Sequence, residues 1–217
     1  MLKSSIANYA QVLRSVLPST VFLPVPARLV WLAVHLVVIV AGIFVVAARF
    51  FGWPVSLGCS LLIGHSFAGL AFVGHELLHG AIVRQKTLRH VLGWLCFLPF
   101  TLSPRLWIAW HNRVHHGHTM LAGVDPDAYP TLEAYSQQRL LRIADYVSPA
   151  VGRRLGLFSL LFGFSIQGAH VLLRIVRKRS YLSPREHLAA ALETLLGLGV
   201  WAGLAFYIGL GPFLFAF

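Results

Sequence analysis

Apolar runs long enough to cross a bilayer constrain this chain more than anything else in it. A helix needs about 20 apolar residues to span the hydrocarbon core. Leu29 to Ala48 meets that length with His35 as its one ionisable residue. Trp53 to Val73 follows, with its helix expected to run on past His79. The turn Arg49-Phe50-Phe51-Gly52-Trp53-Pro54 makes the two a hairpin. A third run, Leu188 to Ile208, carries the acid Glu193 in its second turn, near enough to the membrane boundary to be tolerated. The expected fold is all-α, a multi-span integral membrane protein with a histidine-rich loop.

Composition agrees. Of 217 residues, 57% are hydrophobic and 12% charged, against roughly 25% charged in soluble domains. That excludes disorder and argues against an ordinary soluble fold. The net charge of +11 admits nucleic-acid binding in principle, but the basic residues flank apolar runs, which is the pattern of cytoplasmic membrane loops. No nucleic-acid partner is expected. Cys59 and Cys96 lie in apolar stretches and read as buried hydrophobes. Residues 1–28 are expected to form a cytoplasmic or interfacial segment, and 29–217 one transmembrane domain.

Sidedness follows from the bases. A two-span hairpin returns the Arg84 to Arg154 loop to the side of the N-terminus. Were Leu155 to Leu173 to cross, the cluster from Arg174 to Arg185 would face outward, against the positive-inside rule. That stretch, broken by Gly156, Gly163 and Gly168, is therefore expected to be re-entrant or interfacial. Val91 to Thr101 is apolar but too short to cross, and Tyr129 to Tyr146 reads as an amphipathic surface helix. Gly209-Leu210-Gly211-Pro212 reads as an outer turn, after which Phe213-Leu214-Phe215-Ala216-Phe217 begins a fourth span that breaks off. The domain is expected to be incomplete at its C-terminus.

The chemistry is carried by histidine. Six of the 11 histidines stand in two clusters, Gly74-His75-Glu76-Leu77-Leu78-His79-Gly80 and Trp110-His111-Asn112-Arg113-Val114-His115-His116-Gly117-His118. In each, two histidines are four apart, which on a helix places both rings on one face, able to share a metal. Both clusters are expected at one membrane depth on one side. His75-Glu76-Leu77-Leu78-His79 also fits the zinc-protease pattern, with Glu76 as general base, although that leaves the second cluster unexplained. A carboxylate-rich di-iron bundle needs two E-x-x-H motifs, and the chain offers Glu76–His79 alone among its 7 acids.

The pairing of His75-x-x-x-His79 with His111-x-x-x-His115-His116, following a two-span hairpin, resembles the first two histidine boxes of the membrane fatty acid desaturases. Asp125-Pro126-Asp127 after the second box is similar to that family too, and Ser183-Pro184-Arg185-Glu186-His187 is a weaker likeness. Related membrane hydroxylases and carotenoid ketolases share the boxes. The resemblance implies an oxidoreductase with a non-haem centre of two irons held by histidine. It implies dioxygen as co-substrate, a lipid acyl chain as substrate, and a separate ferredoxin or cytochrome b5 type electron donor. His75, His79, His111, His115 and His116 would be iron ligands. From the residues themselves, His118 reads as an added ligand or as a residue behind the ligands, and Asp125 and Asp127 read as caps of a turn or helix or as hydrogen-bond partners of a ligand histidine. The family's third box, H-x-x-H-H or similar, has no counterpart after His118, where His170 and His187 are isolated. A non-catalytic fragment is therefore a further reading.

The other histidines are set apart. His65 lies 14 residues before His79, about 21 Å along a helix, too far to join that site. His35 and His170 are expected to be satisfied by neighbouring helices, and His90 to be interfacial. Arg113 is expected to contact a lipid or substrate headgroup.

Overall fold

The computed structural model describes residues 11–49, 51–122, 124–125, 131–139, 141–143 and 182–217. Every regular element among them is helical. Leu29–Ala48 is α1, Trp53–His79 is α2, Lys86–Phe97 is α3, Pro104–Trp107 is α4, Leu132–Gln137 is α5, Pro184–Ile208 is α6 and Leu210–Ala216 is α7. The helices α1 (with the preceding turn from Pro26), α2 and α6 are long and apolar enough to cross a membrane. The chain is an all-α, multi-span membrane protein.

α1 and α2 form the expected hairpin. Arg49, at φ 53°, ends the first helix, and Pro54 in the first turn of the second costs no hydrogen bond there. At the open end of the hairpin, Arg28 Nη1 donates to Glu76 Oε2 at 2.8 Å, so the start of α1 and the end of α2 lie together. The N-terminal strand of chain is bound to the same end: Val25 N donates to Ala81 O at 2.8 Å and Arg84 Nη2 to Phe22 O at 3.1 Å. The His35 ring packs on the backbone of α2 at Gly69.

α2 does not run past His79. Gly80 adopts φ 79° and donates to Leu77 O, while Ala81 N donates to Glu76 O. Those two bonds close a Schellman motif, for which glycine is the favoured residue. α3 then returns against the end of α2. A Cβ on Gly74 would stand 2.8 Å from Phe97 and 2.9 Å from Cys96, and one on Gly93 would stand 2.6 Å from Leu78. The two glycines let these helices approach at the level of the first histidine cluster.

α3 is no span of its own. Through Leu98–Phe100, a 3-10 turn, it bends by 96° into α4 and the helical turns that continue it to His115. Ser103 caps the new helix by accepting from Leu106 N, with Pro104 at its first position. Leu78, Phe97, Leu106, Trp107 and Trp110 form a buried core beneath the bend, joined by Ala190 of α6.

Three expectations on extent change. α6 starts at Pro184 rather than Leu188, because Ser183 and Glu186 form a reciprocal capping box. After Ile208, Gly209 alone (φ 87°) makes the break, and Pro212 sits inside α7. α7 packs back on the bundle: Phe217 stacks on Phe67 at 5.6 Å and Ser60 Oγ donates to Phe215 O at 2.7 Å. The amphipathic helix expected over Tyr129 to Tyr146 is interrupted at Gln138, whose backbone is extended after α5. Leu155 to Leu173, His170 and Asp127 lie outside the described residues.

Candidate metal centre

The two histidine clusters meet. His75 and His79 occupy the last turn and a half of α2, four apart on one face. The bend after α3 lays the second cluster over them. One ring nitrogen from each of His75, His79 and His111 lies within 4.8 Å of the other two. His116 Nε2 stands 3.3 Å from His79 Nε2. The His111 ring is 4.9 Å from His75, 4.9 Å from His115 and 4.8 Å from His116. Five imidazoles from two segments thus share one small volume.

The backbone of the second cluster explains how all three of its histidines join. Ile108–His115 is a π-helix, and His116 N donates to His111 O, five residues back, at 3.0 Å. At about 100° per residue in an α-helix, His115 would stand about 40° from His111 and His116 about 140° away, on another face. The wider π turn takes one more residue per hydrogen-bonded ring. His115 and His116 then fall on either side of the direction set by His111. Spacing alone accounts for His111 and His115; His116 needs the change of pitch.

Trp107, 2% exposed, is the floor of the site. Its indole stacks on His111 with centroids 4.4 Å apart and meets His75 and His79 edge to face at 5.3 and 5.4 Å. It stands four residues before His111, the helical spacing that gives one face, and that is the signal in the sequence that could have found it.

Behind the rings, Asp125 Oδ1 lies 2.9 Å from His115 Nδ1, with the carboxylate side chain 0% exposed. Its other oxygen accepts from Met120 N at 2.8 Å. The bond orients the His115 ring and leaves Nε2 for another partner. His118 is placed differently: its Nδ1 donates to Val114 O at 3.1 Å, and among the described residues no ring contact joins it to the five. His65 lies outside the group, as its distance along α2 requires.

The remaining charged residues have partners elsewhere. Glu76 pairs with Arg28 at 2.8 Å, both side chains being exposed. Arg113, expected to meet a headgroup, donates through Nη2 to Glu186 Oε1 at 2.8 Å. His90 donates through Nε2 to Glu193 Oε1 at 2.8 Å.

A donor set of neutral imidazoles suits iron, zinc or copper. The rings fit such a group, since at least three ring nitrogens already converge and a buried carboxylate orients a fourth ring.

With this geometry in view, the likeness to known proteins becomes specific. The family model for fatty acid desaturases matches residues 51–217. The chain belongs to the fatty acid desaturase family, and both histidine clusters fall inside the matched region. It is 31% identical over 137 residues to the sn-1 acyl-lipid omega-3 desaturase (ferredoxin) of Synechocystis sp. (strain ATCC 27184 / PCC 6803 / Kazusa), covering 61% of this chain. The chain spans 38% of that relative's length.

Proposed function

We propose that this chain carries the catalytic centre of an oxygen-dependent acyl-lipid desaturase. The observation that carries the reading is the convergence of His75, His79 and His111 within 4.8 Å at the end of a membrane hairpin, in a chain of this family. His75, His79, His111, His115 and His116 would supply part of the ligand set for non-haem iron, two ions being the family's complement. Bound iron would supply the activation of dioxygen needed to draw hydrogen from an unactivated acyl carbon and leave a double bond.

The chain's own residues do the holding and the shielding. His75 and His79 present two nitrogens from one helix face, and the π turn brings three more from the facing segment. Asp125 fixes the His115 ring by accepting a hydrogen bond from its Nδ1–H. Trp107 closes the inner wall with an apolar face, which keeps water from the rings on that side. The site lies at the end of apolar helices, so an acyl chain reaches it from the bilayer without being drawn through water. The substrate class proposed is a lipid-linked acyl chain and the donor a separate ferredoxin, as the relative's name suggests. The boxes and the N-terminus would face the cytoplasm, where a basic loop favours an acidic donor.

The test is to express the chain in bacterial membranes, measure bound iron, and follow the double-bond content of host acyl chains with a reduced ferredoxin supplied. Iron retained on the wild type and lost from His79→Ala, with new unsaturation in the wild type, supports the reading. A chain that retains no iron above that variant overturns it.

A further inference from the structure

The third span carries two of the chain's 7 acids on one face. Glu186 and Glu193 are seven residues apart, two helical turns and about 10.5 Å at 1.5 Å per residue. Each reaches the segment that bears the second histidine box. Glu193 Oε1 accepts from Arg105 Nε at 2.7 Å and His90 Nε2 at 2.8 Å, and Oε2 accepts from Ser103 Oγ at 2.6 Å. Its backbone carbonyl takes the Trp94 indole N–H at 3.1 Å. Glu186 uses Oε2 to complete the α6 cap on Ser183 N at 2.9 Å and Oε1 to bind Arg113 at 2.8 Å.

The pattern is directional. Arg105 and Ser103 stand at the start of α4, and Arg113 stands within the second box. α6 and this segment therefore run antiparallel, gripped at two points. Ser103 spends its single O–H on Glu193 and its lone pair on the amide of Leu106, so the same hydroxyl starts the box-bearing helix and anchors it to the third span. A carboxylate with 17% side-chain exposure in an apolar helix needs such partners to remain charged.

We infer that Glu193 and Glu186 are positioning residues, which from α6 set the register of the second histidine box against the first. This rests on the reading that the five histidines hold a metal. Neither acid touches the rings. They act through Ser103, Arg105 and Arg113, with His90 and Trp94 tying the same point to α3.

The experiment is a Co²⁺ titration of the full chain in lipid nanodiscs, followed by its visible ligand-field bands, with thermal unfolding of the same samples. Glu193→Gln keeps the shape but halves the acceptor oxygens. It should weaken Co²⁺ binding about tenfold or more and alter the bands. Trp201→Phe is the control, because it removes a bond from α6 to the bend (Trp201 Nε1 to Leu98 O, 2.7 Å) without touching the box. It should lower thermal stability while leaving Co²⁺ affinity within about twofold. Glu186→Gln tests the second grip if Glu193→Gln does not fold, with the same weakening expected. Unchanged affinity and bands in the folded glutamine variants overturn the inference alone, as does equal weakening in Trp201→Phe. A wild type that binds no Co²⁺ overturns it together with the metal-centre reading, and so the two failures are told apart.

Discussion

Asp125 lies 2.9 Å from the Nδ1 of His115 with its side chain wholly buried. A buried carboxylate is costly unless its oxygens are used, and here one is taken by the ring and the other by the Met120 amide. Exchange for asparagine keeps the size but lets the group donate as well as accept, and weakens its hold on the imidazole. Asp125→Asn should lower iron retention about 10- to 100-fold, read by equilibrium dialysis against a calibrated chelator. Unchanged retention would show that His115 is oriented without it.

His116 and His65 make a second contrast. His116→Ala removes a ring whose nitrogen is 3.3 Å from that of His79, and bound iron should fall by at least half. His65→Ala, on the same helix as the first box but remote from it, should leave bound iron unchanged. Metal content per chain by mass spectrometry checks both.

Glu76→Gln separates oxidation from proteolysis. Glu76 and Arg28 are 41% and 48% exposed in their side chains, and an exposed pair contributes about 0–1 kcal/mol. On the desaturase reading the variant should keep its metal and any acyl desaturation that the wild type shows. A protease built on His75, Glu76 and His79 would lose all activity by the same change.

Gly74→Ala probes the contact between α2 and α3. Its Cβ would fall 2.8 Å from Phe97 and 2.9 Å from Cys96, and overpacking of this kind costs about 1–3 kcal/mol. Thermal unfolding should shift down by several degrees, and iron retention should weaken as the first box is pushed from the second.

Much of the scaffold was legible because it depends on period and length. The apolar runs gave the hairpin and the third span, and the four-residue spacing placed His75 with His79 and His111 with His115. What was not legible depends on pairing across the chain. Glu193 reads as a tolerated acid near the interface, while its partners Arg105, Ser103 and His90 lie 88, 90 and 103 residues away. Arg113 reads as a free headgroup contact for the same reason. The end of α2 was within reach, since glycine after a histidine in the last turn is a C-terminal signal, but the apolar pattern running up to His79 masked it.

The doubled histidine of the second box owes its use to backbone pitch. His115 and His116 both face inward because the chain there winds wide, with the amide of His116 bonded five residues back. One residue removed between Trp107 and His111 keeps every histidine and the spacing within the second box, yet should let the segment tighten toward ordinary winding and carry one ring out of the cluster. The capacity for a fifth donor thus rests on a length of main chain as well as on the His116 side chain.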